Sequence, residues 1–180
     1  MGLRYSALGL TKMLSKLNPF GIVKAHYASM RNYQTDTLSL GELVFHFGLP
    51  ACLAVLHFYL VPDISEGVVG IIVSAASIVA GLMLNLLVLI YTLVYNAKTN
   101  PNPVANIDDF KKVSGESLST IAFSILLCLL LVVASFLILS RFPVLAGIGR
   151  LVTVYLGVAV VLCLLIVLKR CYAIVQLELK

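Results

Sequence analysis

Charge is what this sequence has least of. Charged residues make up 12% of the 180 positions, against 61% hydrophobic ones. A soluble domain carries about 25% charged residues and about 45–50% apolar ones. Not one charged residue occurs between Gly67 and Lys98. A water-soluble chain of this composition would expose large apolar patches. A protein solvated by lipid needs an apolar outer surface, so the class expected is a membrane protein, with a mean hydropathy of +1.04.

Other absences narrow the chemistry. The four cysteines, Cys52, Cys128, Cys163 and Cys171, form no C-x-x-C pair. That excludes a sequence-local zinc site or disulfide framework. The first three lie in apolar runs and read as small packing residues. G-x-S-x-G, H-E-x-x-H, Walker A and G-x-G-x-x-G motifs are all missing, as are voltage-sensor arginines and a potassium-filter sequence. No enzyme activity, cofactor or metal is expected. A cleaved leader is not expected either, because Lys12, Lys16 and Asn18-Pro19 interrupt the first apolar stretch. No lipidation box stands out.

What is present is a set of long apolar runs. A spanning helix needs about 20 apolar residues to cross a hydrocarbon core about 30 Å thick. Four stretches qualify, at about 40–60, 67–95, 118–139 and 151–168. Ser39 and Glu42 have capping-box spacing before the first, and Pro62-Asp63 ends it. The second exceeds the core thickness and must tilt or project from it. Asn100-Pro101-Asn102-Pro103 breaks the chain, and Asn106 to Asp109 is placed to cap a short helix through Lys112 before the third run. Arg141 and Pro143 close the third. Lys169 and Arg170 stop the fourth at the interface, and the tail to Lys180 is free to continue as helix in water. The fold class expected is therefore all-α and polytopic. A basic amphipathic arm, 1–38, precedes a four-helix membrane domain, 39–180.

The positive charges set an orientation. Arg4, Lys12, Lys16, Lys24, Arg31, Lys98, Lys111, Lys112, Lys169, Arg170 and Lys180 all fall on one side of a four-span chain. Arg141 and Arg150 fall on the other, with Asp63 and Glu66. Both termini are expected in the cytoplasm, in an inner or plasma membrane. In the arm, Leu3, Leu10, Met13, Leu14 and Leu17, then Phe20, Val23, Tyr27 and Met30, recur at helical spacing beside lysines. Two short helices joined at Asn18-Pro19 would lie on anionic headgroups or dock a cytosolic partner. Lys12, Lys16, Lys24, Arg31, Lys111, Lys112, Lys169 and Arg170 are the candidate lipid or partner contacts. The net charge of +5 follows from this inside bias, and no nucleic-acid motif accompanies it, so direct nucleic-acid binding is not expected.

Two patterns inside the spans single out residues. Gly70, Ser74, Ser77, Gly81 and Asn85 share one helical face, where small side chains permit close helix contact within the chain or between copies. As a pore lining they would make a thin polar path. An amide in lipid needs a partner, so Asn85 is expected to have one. Glu42, His46, Pro50 and His57 form a second stripe, a candidate proton- or ion-sensitive face. Pro50 removes the donor that the His46 carbonyl would use, so a kink is expected there. His46 and His57 lie about 16 Å apart along a helix and cannot share a metal ion. His26 is read as belonging to the basic arm, away from any reactive cysteine. The hydroxyls of Ser119, Thr120, Ser124 and Ser135 are expected to bond back to their own helix.

With four spans, short outer loops, inward termini and a basic cytoplasmic face, the plan resembles the small membrane subunits of bacterial antiphage systems of the Kiwa type. That resemblance implies a homo-oligomeric inner-membrane protein that senses infection or membrane disturbance and works with a cytosolic effector. It assigns no site residue. The function expected is a sensor or scaffold subunit; a pore-forming effector and a small dimeric exporter are the alternatives. Replacing Lys12, Lys16, Lys24 and Arg31 by Gln is expected to weaken binding to anionic vesicles by about 1 kcal/mol per charge near the surface. Vesicle co-flotation at low salt checks this, and unchanged binding would remove the electrostatic role of the arm.

Overall fold

The computed structural model describes residues 19–28, 40–61, 63–99 and 107–178. Those residues are helical but for the short connections at 19, 61, 63–65 and 139–142, with no strand among them. Helix α1 is Phe20–Ala28, α2 is Leu40–Leu60, α3 is Glu66–Thr99, α4 is Ile107–Ile138 and α5 is Pro143–Glu178. Three of them, α3, α4 and α5, are long and apolar enough to cross a membrane. The architecture is that of a multi-pass membrane protein. Helix α2 is a shorter apolar helix over Val44–Leu60 by the same measure.

The limits of α2 coincide with the apolar run expected from sequence. Helices α4 and α5 begin earlier than their apolar runs. The short helix expected before the third run is fused with it into one α4 of 32 residues. Hydropathy marks where a helix enters lipid, whereas the helix itself starts at Ile107, the first residue described after the proline-rich linker. Helix α5, of 36 residues, opens on Pro143. Proline suits a first helical turn because its missing N–H is not needed there. It then runs on past Lys169 and Arg170. At about 1.5 Å per residue α5 is about 54 Å long, well beyond a hydrocarbon core of about 30 Å.

Helix α4 is the hub. It packs along α5 and α3 on its flanks and meets α1, while α2 lies along α5. Small side chains let this happen. Ser114, Ser117, Thr120, Ser124, Cys128, Ala134 and Ser135 of α4 are all buried. Five α4 hydroxyls discharge their protons within the helix: Ser117 to the Val113 carbonyl at 2.8 Å, Ser119 and Thr120 to the Glu116 carbonyl at 2.8 and 2.9 Å, Ser124 to Thr120 at 2.9 Å and Ser135 to Leu131 at 2.8 Å. Such back-bonding removes the cost of burying a hydroxyl. The core divides into two parts. One gathers Ala76, Phe123, Leu127, Leu131, Leu156, Val160 and Cys163. The other gathers Met83, Ile90, Phe110, Ile121, Val167 and Ile174.

The face that α3 gives to the core is Val69, Ala76, Met83 and Ile90, one residue every two turns. The small-residue stripe is not on it. Gly70, Ser74, Ser77, Gly81 and Asn85 are exposed. A side chain added at Gly70 or Gly81 would meet nothing within 4 Å. Among the described residues the stripe is therefore not an intrachain packing face; Val69, Ala76, Met83 and Ile90 take that role.

The tight helix contact is elsewhere, at the α4–α5 turn. The Leu139 and Ser140 amides bond to the carbonyls of Phe136 and Leu137, and the Phe142 amide to Ser140 Oγ. The chain then reverses so sharply that a Cβ at Gly149 would stand 2.8 Å from the Ile138 nitrogen and from Leu137 Cβ. Backbone cannot yield as a flexible side chain can. Gly149→Val is expected to destabilise the bundle by about 1–3 kcal/mol, read as a lower melting temperature in detergent. Gly157→Val, where a Cβ meets nothing within 4 Å, serves as the control. Equal melting of the two variants would show that the turn is not under steric constraint.

Candidate functional site

The site lies where α1 enters the bundle. Helix α1 has nine residues, too few to be stable alone in water, so its order comes from what it packs on. His26 is 1% exposed. Its ring stacks on Phe123 of α4 at 4.2 Å between centroids and 11° between planes. Tyr27 stacks on Phe47 of α2 at 5.7 Å, and Val23 packs against the core. The arm thus sends one turn into the gap between α2 and α4. The reading of His26 as a remote arm residue is corrected: its ring lies 5.7 Å from that of His46.

His46 is 5% exposed and reaches Cys163 of α5, which is fully buried. His46 Nε2 and Cys163 Sγ are 3.7 Å apart. One ring nitrogen each from His26 and His46, and the Cys163 sulfur, all lie within 4.8 Å of one another. Two imidazoles and a thiol are a donor set that transition metals use. Ser124 of α4 lies beside the Cys163 sulfur. Burial, then His46, then Arg170 push the His26 imidazole down to about 4, so it is neutral at neutral pH.

A cavity of about 570 Å³ opens from this cluster towards the charged end of the bundle. His26 and His46 line it, with Phe45, Glu116, Lys169 and Arg170. Arg170 crosses from α5 to the start of the apolar part of α4. Its Nη1 donates to the Glu116 carbonyl at 2.6 Å and to Thr120 Oγ1, and Nη2 faces the Glu116 carboxylate at 3.8 Å. The guanidinium thus ties α4 and α5 together. At the other end, Arg150 lies over the Phe58 ring at 4.3 Å and donates to the Phe58 carbonyl at 3.2 Å. That pairing joins α2 to α5.

The residues singled out from sequence separate into groups. His46 and Pro50 are buried, whereas His57 is half-buried about 16 Å further along the same helix. The Glu42 side chain lies outside the described residues, as do Ser39, Lys12, Lys16 and Arg31. The stripe of Glu42, His46, Pro50 and His57 is therefore not one site; His46 alone of its histidines joins the cluster. Lys24, Lys111, Lys112 and Lys169 are exposed at the surface, and Arg170 is drawn inward. Sequence reasoning missed Cys163 as a partner of His46, because they are 117 positions apart. It also missed His26, although that residue sits one turn from Val23 on the apolar side of its helix.

No known protein family, curated protein or solved structure matches the chain.

Arg170 carries the polar joint of the bundle. Arg170→Leu leaves the Glu116 carboxylate without its cation and is expected to cost about 1.5–3 kcal/mol. Lys169→Leu, exposed beside it, is expected to change stability by less than about 0.5 kcal/mol. Thermal unfolding in detergent checks both. Equal effects from the two variants would remove the structural role given to Arg170.

Proposed function

We propose that the chain is a non-enzymatic, four-span subunit of an inner or plasma membrane that associates with copies of itself and serves as a sensor or scaffold for a cytosolic partner. Helix α2, of 21 residues, is the fourth span, since at about 1.5 Å per residue it is about 31 Å long. Both termini then lie with the basic end in the cytoplasm. Lys24, Lys111, Lys112 and Lys169, exposed there, face anionic lipid.

One observation carries the self-association: the outward face of α3. Gly70, Ser74, Ser77, Gly81 and Asn85 are exposed together, and the packing of the described residues makes no use of them. Ser74 and Ser77 bond back to the Gly70 and Val73 carbonyls at 2.9 and 2.8 Å. Asn85 has no such partner among the described residues, and an amide facing lipid tails unpaired is costly. A second copy supplies both the close backbone approach and the hydrogen bond. The resemblance to the Kiwa-type plan is what supports a role in antiphage defence, beside a cytosolic effector.

A pore reading draws on the same exposed Ser74, Ser77 and Asn85, which would line a path between copies. Ion flux in liposomes separates the two: a sensor or scaffold keeps the vesicles tight.

Gly81→Leu and Asn85→Leu are expected to leave the melting of the single chain unchanged and to weaken association by about 0.6–2 kcal/mol each. Cross-linking in native membranes and mass determination in detergent measure this. Wild-type assembly in both variants would sink the role of this face.

A further inference from the structure

We propose that His26, His46 and Cys163 form a binding site for a single copper(I) ion, which ties the arm helix α1 to the membrane bundle. The site is independent of self-association, since its three residues lie inside one chain and away from the outer face of α3.

Geometry comes first. The three donors belong to α1, α2 and α5, and all are buried. Metal–sulfur bonds of about 2.3 Å and metal–nitrogen bonds of about 2.0–2.1 Å place sulfur and nitrogen donors about 3.6 Å apart. His46 Nε2 and Cys163 Sγ stand at 3.7 Å already. The widest separation in the set, within 4.8 Å, closes with an ångström of movement. The arm helix, held by ring stacking of His26 on Phe123, is the element free to make it.

Charge then selects the ion. Metal binding requires the thiolate. The Cys163 S–H bond breaks, one metal–sulfur and two metal–nitrogen bonds form, and the proton leaves through the cavity that His26 and His46 line. The two imidazoles stay neutral. A monovalent ion with one thiolate gives a complex of zero net charge. A divalent ion leaves one positive charge in a poorly solvated interior, and the same cavity already holds Lys169 and Arg170. Thiolate softness points the same way, to copper(I) ahead of zinc. Trigonal coordination by one sulfur and two nitrogens leaves no donor wanting.

The ion would act as a clasp. Helix α1 is too short to hold its own structure, and three bonds from one ion join it to two longer helices. Gain or loss of the metal therefore changes how firmly the arm is docked.

The test uses the full chain purified in detergent without oxygen. Copper(I), supplied as its bicinchoninate complex, is expected to load to one ion per chain. X-ray absorption of the loaded wild type is expected to show one sulfur and two imidazole nitrogens. Amide exchange across Phe20–Ala28 is expected to slow on loading. Cys163→Ser and His46→Ala are each expected to weaken binding about a hundredfold or more, while Cys128→Ser and His57→Gln bind as wild type. Zinc chloride is expected not to displace the copper. Copper binding far below one ion per chain, a metal shell without sulfur, undiminished binding by Cys163→Ser, or displacement by zinc would each overturn the proposal.

Discussion

Hydrocarbon offers a peptide group no hydrogen-bond partner, so a chain dissolved in it must satisfy its backbone within each segment and its buried polar side chains within reach of them. The long helices of this protein meet the first demand. The second is met in α4 by Ser117, Thr120, Ser124 and Ser135, each placed one turn from a carbonyl of its own helix, while the buried Ser114 hydroxyl has no partner among the described residues. With those protons spent locally, α4 presents a slim flank on which α3 and α5 close. Helix–helix contact in lipid gains little from apolar burial and depends on fit. A helix edged with Ser, Thr, Cys and Ala provides that fit, and so α4 becomes the hub.

The same demand explains why the charged groups gather at the ends. Arg170 stands at the start of the apolar part of α4 and spends its donors on Glu116 and Thr120. Arg150 spends its own on Phe58, over the ring of the same residue. Each arginine joins α5 to a different neighbour at a different interface. The bundle is pinned at both ends by guanidinium contacts and packed in its interior by small residues. Arg170, with Glu116, also forms one wall of the cavity that leads down to the two histidines.

The helices were legible in the sequence because lipid solvation imposes a length and a composition, and both survive in one dimension. The run at about 40–60 matches the described helix Leu40–Leu60, while the starts of α4 and α5 were not readable, since a helix does not begin where the lipid does. The outward set of the α3 stripe was not readable either. Small residues at helical spacing look alike whether they face a neighbour in the chain or a neighbour outside it, and Val69, Ala76, Met83 and Ile90 offered a competing face. The cluster of His26, His46 and Cys163 was invisible for a different reason. Its members come from three helices, and no local spacing records that α1 turns into the bundle. The available hint was His26 itself, an imidazole one turn from Val23 on a helix whose charges point the other way.

Two features of the folded chain stand apart from its packing, and they lie in different places. One is the outward face of α3, where Asn85 has no hydrogen-bond partner among the described residues and a Cβ at Gly81 would meet nothing within 4 Å. The other is inside, where two imidazoles and a thiol converge around a point. A folded core more often fills such a place with Leu or Val, which need no polar partner. Neighbouring positions in α4 show the cheaper solution repeatedly, with hydroxyls closed on their own helix. That His26 is drawn out of a basic arm to reach His46, rather than left at the headgroups with Lys24, therefore points to a purpose beyond packing. On the readings proposed above, the outer feature concerns other copies of the chain and the inner one concerns the arm. The bundle between them, rigid through α4, is where the two can be coupled or kept apart.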